Sequence, residues 1–225
     1  MVEESIRFKI MSRFWNQFLA ALTPGVRILL AVLAATALAA FIGQATGDFN
    51  LDGWLALTAQ HFWRGQIWRL VTYVLLPAGI LNFILNVFAL ILLGGWLERV
   101  RSRGELWIIC SVSAAGAGLA AVLLPFAPLS GAGPMMFGLL AAWYFHCGHE
   151  KVSVFPFGEM TVRQLALVAA AASLLFTSIS AGWQTATVMA AGGLSGWLYV
   201  WGWHKWLMSR DSRVVPSERI SRLEL

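Results

Sequence analysis

Charge is scarce in this chain: Lys, Arg, Asp and Glu make up 12% of its 225 residues, against about a quarter in a soluble domain. None of them falls in the middle of a long apolar stretch. That argues against ion or proton translocation, which needs ionisable groups inside the bilayer. Cysteine is nearly absent. Cys110 and Cys147 are too few for a disulfide framework and read as free thiols. Histidine occurs four times, and His146-Cys147-Gly148-His149 is the one segment that invites a metal. Three donors within four residues fit one tetrahedral site poorly and have no distant partner pair. The segment reads instead as a helix end with a glycine cap, so no metal and no cofactor is expected.

Apolar residues fill the space that charge leaves. The chain is 59% hydrophobic with 12 tryptophans, and several runs approach or exceed the roughly 18 residues that cross a bilayer. The expectation is an all-α, polytopic membrane protein. Residues 1–23 read as a basic, aromatic-rich amphipathic helix in the interface. Residues 24–208 form one transmembrane domain, and residues 209–225 a charged, soluble tail. Six spans can be drawn: about Val26 to Gln44, Gly79 to Leu97, Leu106 to Pro125, Pro134 to Cys147, Val162 to Ser180 and Gln184 to Trp203. Between the first two, residues 47–78 are too polar to span and too rich in tryptophan to be a free loop. A segment half-embedded in the outer leaflet satisfies both facts.

Orientation follows from the basic residues. With six spans, both termini share a side with the connections near 98–105 and 147–163. Of the 16 Lys and Arg, only Arg64 and Arg69 fall on the other side. Both termini are therefore expected in the cytoplasm, as in a bacterial inner membrane protein. The net charge of +5 reports this orientation rather than a nucleic-acid partner. The bilayer is the expected surrounding.

The fourth span is anomalous. Pro134 to Cys147 covers about 21 Å at 1.5 Å per residue, against a core of about 30 Å. Its N-terminus must start inside the membrane, reached by non-helical backbone from Ala127 to Gly133. Such backbone is tolerated only where protein buries it or a wet cavity meets it. Pro134 suits the opening of that helix, where its missing N–H has no intrahelical partner to lose. The residue at the helix mouth is a glycine, Gly133.

Several local patterns in this setting resemble the rhomboid family of intramembrane serine proteases. Gly65-Gln66-Ile67-Trp68-Arg69 resembles that family's first-loop segment, where Trp68 would anchor the interface and Arg69 would snorkel to phosphates. Asn86, with Gly94-Gly95-Trp96-Leu97-Glu98 after it, is similar to the second-span pattern. Glu98 would be structural there, pairing with Arg99, Arg101 or backbone. Gly131 to Leu139 is similar to the Gly-Ala-Ser-Gly-x-x-Phe-Gly-Leu stretch, and Met189-x-x-Gly192-x-x-x-Gly196 to a His-x-x-Gly-x-x-x-Gly pattern.

The resemblance implies a six-helix rhomboid-like bundle in which Gly138, Gly192 and Gly196 let spans four and six approach. It also implies that the catalytic serine position is Gly133 and the catalytic histidine position Met189. The second-span His-x-x-x-Asn becomes Asn82-x-x-x-Asn86. Glycine offers no nucleophile, and a thioether takes no proton at neutral pH. The expectation is a catalytically inactive, rhomboid-like pseudoprotease. It would bind transmembrane helices of partner proteins, for retention, assembly or as a fixed subunit, in a cavity lined by Asn82, Asn86, Ala132, Gly133 and Pro134. The alternative is an intramembrane endopeptidase with an unconventional residue, for which Ser130 is the candidate.

Overall fold

A computed structural model describes residues 22–46, 50–124, 128–154 and 158–211. The expected N-terminal amphipathic helix and most of the charged tail lie outside the described residues. The fold is helical and its helix limits sit close to the expected spans. Helix α1 is Pro24–Thr46, α5 is Ile80–Val100, α6 is Arg103–Leu123, and α8 is Val162–Ala181. These four are long and apolar enough to cross a membrane. Helix α7, Gly133–Cys147, has 15 residues and is too short. Helix α9, Trp183–Asp211, has 29; its glycines, threonines and tryptophans make it less apolar than the others.

Local chemistry sets these boundaries. Ser102 opens α6 by accepting the Glu105 N–H, and Thr161 and Gln164 form a reciprocal capping box at α8. Gly79, with φ of +117°, turns the chain into α5. One π-helical turn, Leu90–Gly94, interrupts that helix.

The segment between α1 and α5 holds three short helices, α2 (Leu51–Leu55), α3 (Ala59–Trp63) and α4 (Arg69–Thr72). Leu57, Leu70, Tyr73, Val74 and Leu76 are buried against the bundle, while Trp54, Trp63, Ile67 and Trp68 are exposed. That division matches a segment lying against protein on one side and lipid on the other. The Tyr73 hydroxyl donates to the Ala114 carbonyl at 3.0 Å, tying this segment to α6.

Helix α9 packs against α6, α7 and α8, and α7 lies among them. Helix α8 is the peripheral element. Val162, Ala166 and Thr177 are buried on it, whereas Leu167, Val168, Leu175, Phe176 and Ile179 face outward. Apolar side chains exposed in such numbers are at home only in lipid. One feature adds to the helical architecture: a β-hairpin lies between α7 and α8. Strand β1 (Lys151–Val154) pairs antiparallel with β2 (Gly158–Thr161), from Lys151 opposite Thr161 to Val154 opposite Gly158. Alternating Val152 and Val154 suit a strand.

Candidate functional site

Non-helical backbone leads into α7, and hydrogen bonds at Leu129 and Gly131 tie it to the segment before α5. Leu57 and Leu129 exchange N–H···O bonds of 3.1 and 2.8 Å, and the Gly131 N–H donates to the Tyr73 carbonyl at 3.2 Å. Gly131 has φ of +106°, and a Cβ there would stand 2.8 Å from the Ala78 Cβ. Only glycine fits that corner. Ala132 then caps α7 through its backbone alone. Gly133 is the first helical residue and Pro134 the second, one position later than the sequence suggests. Within this stretch Leu129, Gly131 and Ala132 are buried, Ser130 is half-buried and Pro128 is exposed.

The two positions singled out by the resemblance meet. A Cβ on Gly133 would lie 2.5 Å from the Met189 methyl and 3.3 Å from its sulfur. The Thr177 hydroxyl donates to that sulfur at 3.5 Å. Met189 therefore fills the space in front of the helix mouth, and nothing in this pair can move a proton. The glycines of α9 serve close packing. A Cβ on Gly192 would stand 2.9 Å from the Pro134 carbonyl, and one on Gly196 would stand 2.8 Å from the Gly138 Cα. Ser113 of α6 is wedged beside Gly138 and Gly196 with its hydroxyl buried and without a hydrogen bond.

Asn82 and Asn86 lie one turn apart on α5, and the Asn86 amide donates to the Asn82 oxygen at 2.6 Å. The bond is within one helix, not between helices as an interhelical pair would be. Both residues line a shallow cleft of about 10 Å³, with Leu33 of α1, Ala78, Phe83 and Ala132. Gly133 and Pro134, expected in the same cavity, are buried instead, because Met189 and Gly192 pack onto them. The structure thus separates two features: a mostly apolar cleft beside Ala132 that carries the Asn82 and Asn86 amides, and a closed contact at Gly133.

Arg69 takes another role than expected, whereas Glu98 has the expected structural role with backbone and a different arginine. Arg69 is 4% exposed and does not reach toward phosphates. Its guanidinium donates to the Ala56 carbonyl (2.7 Å), the Gly53 carbonyl (2.7 Å) and the Gln66 side chain (2.6 Å). Burial draws its pKa down, and three acceptors hold the charge in place. Trp68 beside it is exposed. Glu98 pairs with Arg103 at 3.1 Å, not with Arg99 or Arg101. It also accepts from Thr23, from the Gly25 N–H (2.9 Å) and from the Val26 N–H (3.1 Å). Helix α1 is thereby capped by a carboxylate from α5, an anion at the positive end of its dipole.

The histidines lie elsewhere. The His61 Nδ1 is 2.6 Å from the Thr58 hydroxyl in the segment before α5. His146 sits at the far end of α7, 3.6 Å from Glu105 and 3.3 Å from Arg101. Thirteen residues of helix, about 20 Å, separate it from Gly133. No cluster of three metal-ligating side chains occurs among the described residues. Thr177 and Tyr73 were invisible in the sequence, because their partners are a distant sulfur and a distant carbonyl.

A family model described as "Eukaryotic integral membrane protein (DUF1751)" matches residues 27–205. Among curated proteins, the chain is 28% identical over 153 residues to the rhomboid protease GlpG of Serratia proteamaculans, covering 67% of this chain and 55% of that protein. It is 31% identical over 99 residues to the rhomboid protease GlpG of Photorhabdus laumondii, covering 43% of this chain and 34% of that protein. The chain thus spans about half the length of one relative and a third of the other.

Proposed function

Because the chain belongs to the eukaryotic integral membrane protein family whose model it matches, and is rhomboid-like, we propose that it is a rhomboid-like pseudoprotease that binds transmembrane helices of partner proteins. Its bundle would have six spans, with α7 starting inside the membrane and both termini on the side that carries most of the basic residues. The observation that carries the proposal is the Gly133–Met189 contact. A methyl group occupies the place where a serine side chain would project, and the facing residue is no base.

The neighbouring cleft keeps binding capacity without that chemistry. Of the Asn82–Asn86 pair, the Asn82 NH₂ and the Asn86 carbonyl oxygen are not consumed by their mutual bond. A partner helix that unwinds locally in lipid leaves backbone N–H and C=O groups in need of such amides. Retention, assembly and permanent membership of a complex would all use this site.

Two measurements test the reading. Purified protein incubated with a model transmembrane substrate should leave it intact. Cleavage that disappears in Ser130→Ala would establish an unconventional endopeptidase instead. Purification in mild detergent should recover a defined membrane partner from wild type and much less of it from Asn82→Leu/Asn86→Leu. Recovery of the chain alone, or equal recovery from both forms, would remove the partner-binding reading.

A further inference from the structure

Helix α9 is 29 residues long, about 43 Å at 1.5 Å per residue, against a hydrocarbon core of about 30 Å. Its C-terminal turns therefore stand in the headgroup layer. One face of the helix is uncovered by the bundle, and its chemistry changes along its length. Leu194 and Leu198 are 58% and 49% exposed, and Trp201 is 39% exposed; Lys205 is exposed beyond them. Steps of four, three and four residues keep these side chains on one face.

The polar end of the stripe is preorganised. Trp197 and Trp201 stack with ring centres 6.0 Å apart. The Lys205 Nζ stands 4.1 Å from the centre of the Trp201 ring, within cation–π range. No carboxylate lies within ion-pair distance of Lys205 among the described residues. An ammonium held on a ring keeps N–H donors for a second ligand and loses little freedom on binding it.

We propose that this stripe is a binding site for one anionic phospholipid. Its acyl chain lies along Leu194 and Leu198, its ester region is level with the Trp201 indole, and its phosphate meets the Lys205 ammonium. The eleven helical steps from Leu194 to Lys205 rise about 17 Å, on the order of one acyl chain with its glycerol. A zwitterionic lipid would bring a second cation to the same place, so the site prefers a headgroup without one.

Native mass spectrometry of the full chain in mild detergent, titrated with phosphatidylglycerol or phosphatidylcholine, tests this. One phosphatidylglycerol should be retained per chain, with phosphatidylcholine held more weakly. Lys205→Gln should lower affinity for phosphatidylglycerol about fivefold, the usual worth of one basic residue at an anionic surface. Lys205→Arg should keep it, and Trp201→Leu should reduce it with the lysine still present. Lys151→Gln, on the hairpin, should change nothing. Equal binding of the two lipids by wild type, unchanged binding by Lys205→Gln, or an equal loss in Lys151→Gln would each overturn the assignment. So would a lipid-free dimer that Lys205→Gln dissolves.

Discussion

Gly133 and Gly192 read alike in the sequence, yet a methyl group added to each meets different neighbours. At Gly133 it meets the end of a flexible methionine, which can swing aside; at Gly192 it meets the Pro134 ring and carbonyl at 2.8 and 2.9 Å. Gly133→Ala should therefore cost less than about 1 kcal/mol, and Gly192→Ala about 2–3 kcal/mol, the range for overpacking against rigid neighbours. Thermal unfolding in detergent would rank them; equal losses would mean that Met189 is as fixed as the Pro134 backbone. Gly133→Ser should remain inert toward a transmembrane substrate, because Met189 supplies no base. Arg69 is the charged counterpart of these glycines. Its three bonds close the segment before α5 on itself, and Arg69→Lys keeps the charge but cannot fork to the two carbonyls. That change should cost about 2 kcal/mol, read as a lower melting temperature, and a neutral result would reduce Arg69 to a bystander.

The attachment of α1 depends on Glu98, because its carboxylate serves the first N–H groups of another helix. Two contributions can be separated. Arg103 is half-exposed, so Arg103→Gln should cost less than about 1 kcal/mol. Glu98→Gln puts an amide NH₂ among donors and should cost about 2 kcal/mol, with faster tryptic cleavage at Arg27 as α1 loosens. If both changes cost the same, the ion pair rather than the cap holds α1. This contact also marks what the sequence made legible. The limits of α1, α6, α7 and α8 could be read because prolines, a capping serine, a capping box and glycines are local signals. The pairing of Glu98 with Arg103, and the folding of Arg69 inward rather than toward lipid, depend on which elements become neighbours. The meeting of Gly133 with Met189 was legible only through the resemblance, since no spacing links residues 56 apart. The hairpin is weakly signalled because its strands are four residues each, the shortest length at which alternation announces a strand, and Gly158–Thr161 carries one apolar side chain, Met160.

A bundle of this kind makes a joint prediction about sides. If α7 starts inside the membrane and α9 returns through it, the turn before α6 and the hairpin share one side. The segment holding α3 and the start of α9 then share the other. Cysteine placed at the exposed Gly104 and Glu159 reports the first pair, and at the exposed Gln60 and Gln184 the second. The native Cys110 and Cys147 are buried, so they leave little background for an impermeant maleimide. In sealed, oriented vesicles or intact cells, Gln60→Cys and Gln184→Cys should label from outside, and Gly104→Cys and Glu159→Cys only after permeabilisation. The labelling pattern is collective, because each helix that crosses reverses the side of everything after it. If α7 failed to complete the crossing, Glu159→Cys would label with Gln60→Cys, and 14 of 16 basic residues would no longer share a side. The charge distribution opposes that arrangement, so a mixed labelling pattern would break the bundle's span count and its orientation together.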